Sequence, residues 1–127
     1  MNAWEAVSQF GRGLGLGDLS LDGNRQAHLA LESGASVSFT LTDEELLVHV
    51  QHPAPHPCAA LWLQALQRAQ ARESGPLRLQ MGGRGQGADF CLIALTRFQA
   101  DAVTPEDLSR ACDGLLASVQ ATLSAAG

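Results

Sequence analysis

The sequence contains no lysine, so its eight positive charges are all arginine, and thirteen acidic side chains outnumber them to give a net charge of −5. Proteins that bind nucleic acid neutralise phosphates with clustered basic side chains, and association with an anionic membrane surface needs a similar excess of positive charge. The acidic balance therefore argues against nucleic acid and against a membrane surface as binding partners.

Long apolar runs are also absent. A membrane-spanning helix needs roughly 20 consecutive apolar residues, and no stretch approaches that length, so we expect no membrane span. The opening segment MNAWEAVSQF lacks the basic region followed by an apolar run that marks a signal peptide. We therefore expect a cytoplasmic protein.

Cysteine is scarce and odd in number, with Cys58, Cys91 and Cys112 far apart in the chain. Neither a C-x-x-C motif nor the paired spacing of a disulfide framework occurs. Cys91 and Cys112 fall among apolar residues, where a free cysteine serves as a small hydrophobic side chain. We predict structural roles for the cysteines and no redox or catalytic role.

Signatures of nucleophilic catalysis are missing as well, since the sequence has no G-x-S-x-G motif and no cysteine in an electropositive setting. The run 82–88 contains an approximate G-x-G-x-x-A, but a dinucleotide site with that motif must open a helix. The apolar run 90–95 that follows is typical of a strand, so we predict a flexible β-hairpin loop at Gly82–Gly87. We expect no enzymatic activity and no cofactor.

One group of residues resembles a zinc site in composition, because His49, His52, His56 and Cys58 lie close together in the chain. His49 and His52 are three apart on a predicted strand, which directs their side chains to opposite faces. His56 and Cys58 follow two prolines, and no second cluster of ligands completes the set. We therefore predict solvent-facing or locally hydrogen-bonded histidines and no metal site.

Hydrophobic periodicity predicts the order α-βββ-α-ββ-α in a single domain that spans residues 1–127. Residues 35–41 alternate apolar and small polar side chains, which indicates a strand with one buried face, and Thr104-Pro105 with acidic residues behind it indicates a helix start. Helices packed on a mainly antiparallel sheet make the predicted fold class α+β. The predicted elements are a helix over 2–14, strands over 27–31, 35–41 and 46–51, a connector over 52–57, a helix from 58 to a stop at 74–76, strands over 77–81 and 90–98, and a helix from 104.

The run Phe10–Asp22, with a GLxxLxLD-like phrase after the first helix, resembles the corresponding segment of the class I chaperones of type III secretion. The order of elements in a small acidic chain is similar to that family as well. Within the family the resemblance is to the SycN-like subgroup, which serves a secretion gatekeeper together with a second small chaperone. The residues that carry this likeness over nearly the whole chain are Trp4, Ala65, Leu66, Ala69, Ala71, the runs 74–79 and 82–85, and Ala111, Leu115, Leu116 and Gln120.

The resemblance implies a dimer that holds an extended N-terminal segment of a secreted gatekeeper or effector protein, its client, without ATP and without covalent chemistry. The second subunit would be another copy of this chain or a YscB-like small chaperone. The residues implied for the dimer interface are Leu61, Trp62, Leu66, Leu77 and Leu79. The residues implied for client binding are Trp4, Val7, Val37, Phe39 and Leu41. Membership of the hydrophobic core is the alternative for each of these side chains.

Two other functions are compatible with the sequence. One is a small-ligand-binding or enzymatic α+β domain that uses the Gly82–Gly87 loop. The other is a structural adaptor within a secretion apparatus. If the resemblance holds, the protein is expected in the bacterial cytoplasm, peripheral to the secretion apparatus.

Overall fold

The computed structural model describes residues 2–17, 19–55, 57–72 and 79–126. The described residues form three α-helices and five β-strands in the order α-βββ-α-ββ-α, which confirms the predicted α+β fold class. None of these helices combines the length and the apolar character needed to cross a bilayer. The elements are α1 (Ala3–Gly13), β1 (Gln26–Ala30), β2 (Ser36–Leu41), β3 (Glu45–Pro53), α2 (Ala59–Arg72), β4 (Gln80–Arg84), β5 (Cys91–Gln99) and α3 (Pro105–Ala126).

The five strands form one antiparallel sheet in the order β1-β2-β3-β5-β4. β1, β2 and β3 follow one another as an antiparallel meander. The chain then crosses by way of α2 to the far side of the sheet, where β4 pairs with β5 and β5 lies against β3. β1 and β4 are therefore the two edges of the sheet.

One face of the sheet carries the hydrophobic core. The register places Val37 opposite Val50 and Phe39 opposite Val48, and all four side chains are buried. α3 packs on the central strands β3 and β5 and is flanked by α1 and α2. The buried apolar residues of α3 form one stripe along the helix and are Leu108, Ala111, Cys112, Leu115 and Val119.

Side chains cap the first and last helices. The Asn2 side chain accepts a hydrogen bond from the Glu5 N–H at 2.9 Å at the start of α1. At the start of α3, Thr104 Oγ1 accepts from the Asp107 N–H at 3.2 Å, and Asp107 Oδ2 accepts from the Thr104 N–H at 3.1 Å. This reciprocal pair is a capping box with aspartate in the place of glutamate, and it confirms the helix start predicted at Thr104.

The chain that leaves α1 packs back against the helix at Gly11. A Cβ built on Gly11 would lie 2.6 Å from Leu19 Cβ and 2.8 Å from the Leu16 carbonyl oxygen, so a larger residue would not allow this approach. Leu19 and Leu21 belong to the phrase that carries the family resemblance, and both are buried in the core. The phrase therefore has a packing role, in which glycine admits the returning chain and the leucines extend the core toward β1.

β3 is longer than the sequence predicts. His52 and Pro53 pair with Leu92 and Cys91, so the predicted connector over 52–57 is wrong for its first two residues. The Ala54 N–H donates to the Phe90 carbonyl oxygen at 2.9 Å. Because hydrogen-bonded pairs alternate along an antiparallel ladder, the pairing with β5 needs no N–H at Pro53, and proline is tolerated there.

β4 begins later than the strand predicted over 77–81, of which residues 77 and 78 lie outside the described part of the chain. Gly82 and Gly83 pair with β5 as strand residues, so the prediction that the loop begins at Gly82 is wrong. Their low intrinsic preference for strands is offset because β5 supplies a complete row of backbone partners.

The cysteines differ in environment. Cys112 is buried, and burial, with a smaller effect from Asp113, raises the pKa of its thiol to about 12. Cys91 is half-buried and Cys58 is exposed just before α2. The predicted role as a buried hydrophobic side chain is confirmed for Cys112, holds in part for Cys91 and does not describe Cys58.

Gly83 allows a test of how closely α2 packs on the sheet. A Cβ at Gly83 would lie 2.3 Å from Phe90 Cζ and 2.9 Å from Trp62 Cη2. We expect Gly83→Ala to displace these rings and to lower the free energy of unfolding by about 1–3 kcal/mol, the usual cost of overpacking. Gly82→Ala is the matched control, because its added methyl group would meet nothing within 4 Å. Urea denaturation followed by circular dichroism measures both variants, and equal losses would contradict the packing.

Candidate functional site

Hydrogen bonds at the two ends of the β1–β2 pair show how β1 is oriented. The Leu41 N–H donates to the Arg25 carbonyl oxygen and the Leu31 N–H donates to the Ala35 carbonyl oxygen, both at 2.9 Å. Hydrogen-bonded and non-hydrogen-bonded pairs alternate along an antiparallel ladder, so the odd-numbered residues of β1 direct their backbone groups toward β2. The even-numbered residues direct theirs toward the free edge of the sheet.

Asp22 occupies the first part of this edge. Its N–H donates to the Gln26 carbonyl oxygen at 2.8 Å, and its Oδ1 accepts from the Gln26 N–H at 3.0 Å. His28 and Ala30 are the next even-numbered residues, and on that side they make no backbone hydrogen bond to any described residue. Their N–H and C=O groups are therefore available to an added strand.

A groove of about 310 Å³ lies at the same edge. One side of the groove is the segment that follows α1 and the other side is β1. Because neighbouring strand residues point to opposite faces of a sheet, a groove that includes both His28 and Leu29 passes around the edge of β1. The described residues that line the groove are Gly15, Leu16, Gly17, Leu19, Ser20, His28 and Leu29.

Backbone donors and acceptors beside a partly apolar groove are suited to binding an extended peptide. Such a peptide adds a strand to the sheet through main-chain hydrogen bonds, and its alternate side chains enter pockets beside the edge. The main-chain bonds depend little on the peptide sequence, whereas the groove selects the side chains. The β1 edge can therefore act as a binding site without any reactive group.

The second candidate surface is the outer face of α2, which we name the α2 patch and define as Trp62, Leu63 and Leu66. These side chains are 40%, 56% and 64% exposed. The inner face of the helix buries Leu61 and Ala65, so apolar residues extend around more of α2 than the core covers. Large apolar side chains grouped on an exposed face mark an interaction surface.

The structure divides the residues implied for the dimer interface. Trp62 and Leu66 are exposed and belong to the α2 patch. Leu61 and Leu79 are buried in the core of the chain, which leaves them no surface to offer a partner. Leu77 lies outside the described residues.

The residues implied for client binding are divided in the same way. Trp4 is exposed on α1, at 43%. Val7, Val37 and Phe39 are core residues, and Leu41 is half-buried against the same core. The alternation in β2 does locate an apolar face, but α1 covers that face through an aromatic contact with Phe39, so these buried side chains face the chain's own helices.

The residues weighed as a zinc site are dispersed. His49 and His52 lie on opposite faces of β3, as their spacing predicts, and His52 Nδ1 is hydrogen-bonded to the Pro53 carbonyl oxygen at 2.8 Å. Cys58 is exposed, and His56 lies outside the described residues. Within the described part of the chain, no three metal-binding side chains are grouped together.

The glycine-rich segment closes a hairpin between β4 and β5, as predicted. Gly85 has a φ of 85°, and a Cβ at this position would lie 2.6 Å from the Asp89 carbonyl oxygen. A single 3₁₀ turn, Gly87–Asp89, follows and leads into β5. A dinucleotide site needs a helix whose N-terminus faces the pyrophosphate, and this short turn does not provide one.

A polar row crosses the face of the sheet opposite the helices, which we call the open face. His28, Ser38 and His49 lie side by side on β1, β2 and β3, and we name them the histidine row. His28 Nδ1 and Ser38 Oγ are hydrogen-bonded at 2.8 Å. Burial, and then the charges of His28 and Arg84, hold the pKa of His49 below its usual value. These residues are far apart in the sequence, so sequence patterns did not reveal them; the strand register brings them together.

The sequence matches no protein-family model and is not detectably similar to any curated protein. Comparison of structures gives clear matches. SycH, a type III secretion chaperone of Yersinia pestis solved in complex with a fragment of YscM2, superposes with a TM-score of 0.73 at 10% identity, over 94% of this chain and 98% of its own. SchA, from the HopA1–SchA chaperone–effector complex, superposes with a TM-score of 0.68 at 17% identity, over 95% of this chain and 92% of its own.

The same fold occurs in a protein with a different description. YbjN from E. coli, a candidate transcription regulator, superposes with a TM-score of 0.56 at 15% identity, over 94% of this chain and 87% of its own. At these identities the likeness is one of fold. The chain therefore has the fold found in class I type III secretion chaperones, and its function has to be argued from its own surfaces.

Proposed function

We propose that this protein is a type III secretion chaperone that binds an extended N-terminal segment of a secreted gatekeeper or effector protein and keeps it soluble and competent for secretion. The observation that carries the proposal is the free β1 edge, where His28 and Ala30 present backbone groups beside the groove. Strand addition at such an edge is an equilibrium association, so it requires neither ATP nor covalent chemistry.

The β1 edge by itself can hold a client segment only weakly. Each backbone hydrogen bond to an added strand contributes about 0.5–1.5 kcal/mol net, whereas ordering the client costs about 1–2 kcal/mol for each residue. Burial of apolar side chains has to supply the difference, at about 25 cal/mol for each Å² removed from water. We therefore expect the client segment to alternate apolar side chains and to continue past the groove. We propose Trp4, which is exposed on α1, as a further contact.

We propose the α2 patch as the dimer interface. A second copy of this chain, or a YscB-like small chaperone in a SycN-like pair, would cover Trp62, Leu63 and Leu66. Complete burial of one large apolar side chain contributes about 1.5–3 kcal/mol. The Trp62 ring already packs edge-to-face on Phe90, with ring centroids 5.3 Å apart, so little side-chain freedom is lost when a partner covers it.

The proteins with a similar fold support a protein client as the partner. SycH was solved with a fragment of YscM2, and SchA was solved in a chaperone–effector complex. For this chain we propose a secreted client and a cytoplasmic location, peripheral to the secretion apparatus. Affinity purification from native cells would identify the client as a gatekeeper or an effector.

The alternative functions receive less support from the surfaces. A dinucleotide-binding role at Gly82–Gly87 would need a phosphate-binding helix start, which the β4–β5 hairpin lacks. A structural adaptor could use the α2 patch, but it would not need a free strand edge with an adjoining groove. An adaptor also differs from a chaperone in that its partner is folded where it binds.

We expect Leu66→Glu to dissociate the dimer while the chain remains folded. Leu66 is 64% exposed, so the change removes no core contact. A carboxylate in place of a buried interface leucine should raise the dissociation constant by about 100-fold or more. Sedimentation velocity measures the oligomeric state. Trp62→Glu is less suitable, because it would also remove the ring contact with Phe90.

Leu14→Glu is the matched control for Leu66→Glu. Leu14 is also exposed, at 55%, and it lies at the end of α1 outside the α2 patch. A dimer that survives Leu66→Glu, or that Leu14→Glu disrupts equally, would show that the interface lies elsewhere. If the wild-type chain is monomeric alone, the homodimer is ruled out and the heterodimer is the form to be tested. Co-purification with a second small chaperone tests it.

Affinity purification of the tagged protein from its native cells tests the client proposal. We expect a secreted protein close to stoichiometry with the wild-type chain and its loss with Ala30→Pro, because proline removes the Ala30 N–H and places a ring on the free edge. Mass spectrometry identifies the client and any second small chaperone. Limited proteolysis of the complex then shows whether the bound segment is unfolded, as a chaperone client would be.

The fold should tolerate Ala30→Pro, since Ala30 is exposed and its N–H points away from β2. Leu29→Pro is the contrasting variant, because Leu29 faces Val37 across the ladder and its loss of a hydrogen bond should lower the free energy of unfolding by about 1–3 kcal/mol. Recovery of the bait alone under secretion-inducing conditions would overturn the chaperone proposal. Recovery of the same client with Ala30→Pro would overturn the β1 edge as its binding site.

A further inference from the structure

The histidine row begins at the edge where the client is proposed to bind. His28 pairs with Ser38, and Ser38 pairs with His49 on the next strand. Residues directly opposite in an antiparallel pair have side chains on the same face. The row is therefore continuous from the free edge of β1 to the middle of the open face.

The His28 ring is held by a hydrogen bond at one of its two nitrogens. Nδ1 is hydrogen-bonded to Ser38 Oγ at 2.8 Å, and no described residue is bonded to Nε2. His28 also lines the groove at the β1 edge, where it is the one titratable side chain among the described lining residues. A group that enters along the edge can therefore reach the free ring nitrogen.

The open face differs in charge from the chain as a whole, whose net charge is −5. On this face β1 contributes His28, β3 contributes His49 and Glu45, β4 contributes Arg84, and β5 contributes Arg97, while the residues of β2 are uncharged. The one carboxylate, Glu45, is already 3.6 Å from Arg97. Arg84 and Arg97 lie on the far strands, so the basic group within reach of an acidic partner side chain at the β1 edge is His28. Asp22 is the described carboxylate on the same edge, and its Oδ1 is occupied by the Gln26 N–H.

An incoming strand would place a side chain beside this row. In an antiparallel pair with β1, the client residue opposite His28 has its side chain on the open face, with its Cβ about 4.5–5.5 Å from that of His28. The residues on either side of it point to the other face, toward the apolar part of the groove around Leu29. The site therefore fits a client with an acidic residue between two apolar ones.

We propose that the segment docked on the β1 edge presents an aspartate or glutamate side chain to the histidine row, so that docking takes up a proton and becomes tighter as the pH falls. This inference rests on the proposed function and adds the chemistry of the partner to it. His28 would contact the carboxylate directly, and Ser38 would hold the His28 ring in place.

The sign of the pH effect follows from the charges. A carboxylate beside His28 favours the protonated form of the His28 ring. His49 lies two strands further in, beyond direct contact with a strand docked on β1. A histidine with a higher pKa in the complex than in the free protein strengthens binding. The gain in affinity is complete at a pH below the pKa of the free protein, and it is lost as the pH rises through the pKa of the complex. The client carboxylate, with an ordinary pKa of about 4, stays ionised over that window.

Three matched peptides test the inference on the full-length protein. They share the sequence Ser-Thr-Val-X-Val-Thr-Ser with blocked ends, and X is Glu, Gln or Lys. Isothermal titration calorimetry near pH 6 and near pH 8, in buffers of different ionisation enthalpy, gives the affinity and the number of protons taken up. We expect the Glu peptide to bind about tenfold more tightly near pH 6, equivalent to one pKa unit, with proton uptake. The Gln and Lys peptides should show neither the gain nor the uptake.

Two protein variants separate the histidine row from other histidines. His28→Gln keeps a group that can bond Ser38 but cannot take up a proton, so it should remove the pH dependence and the preference for Glu over Gln. His52→Gln is the matched control and should change neither, because His52 lies on the opposite face of β3 and is bonded to the Pro53 carbonyl oxygen.

Equal affinities and equal pH profiles for the Glu and Gln peptides would overturn this inference and leave the β1 edge as a docking site. A pH dependence that survives His28→Gln would overturn it as well. Absence of binding by all three peptides would overturn both the β1 edge and the inference, while the chaperone proposal would still stand or fall with the client purification.

Discussion

The contact between α3 and the central strands β3 and β5 is the interaction on which the rest of the structure depends. Leu108, Leu115 and Val119 are fully buried in this layer together with Val48 and Val50. Because α3 covers the middle of the sheet, α1 packs toward the β1 side and α2 toward the β4 side. One layer of helices is then complete, and it covers neither the outer edge of β1 nor the outer face of α2. The two candidate binding surfaces are consequences of where this central helix lies.

The composition of β4 explains why α2 keeps an apolar outer face. Gly83 contributes no side chain to the layer beneath the helix, and it leaves the space in which the Trp62 and Phe90 rings meet. The core under this end of the sheet is therefore thin, and only part of the apolar surface of α2 is buried. The remaining side chains of the α2 patch stay in contact with water unless another protein covers them.

The features that could be predicted from the sequence are those that depend on neighbouring residues. The alternation over 35–41 and the start signal at Thr104 are local, and both elements lie where they are predicted. The apolar pattern of a helix, in contrast, does not indicate how much of the helix the sheet will cover. Leu61 and Leu66 both belong to the apolar pattern of α2, but Leu61 is buried and Leu66 is exposed. The free edge and the histidine row arise from strand order and register, which depend on contacts between residues far apart in the chain.

The positions of the two surfaces restrict the kind of partner more than the fold does, since a candidate transcription regulator also has this fold. Strands lie about 4.8 Å apart, so the β1 edge is about 19 Å from β4 across the five-stranded sheet. In a dimer formed through the α2 patch with the two sheets side by side and their β4 strands toward each other, the two β1 edges would lie at least about 40 Å apart by the same spacing. An extended chain rises about 3.3 Å for each residue, so a client that adds a strand to both edges needs at least roughly 12 extended residues between them. A compact domain cannot provide such a segment without unfolding, and the arrangement therefore favours a client that is unfolded where it binds.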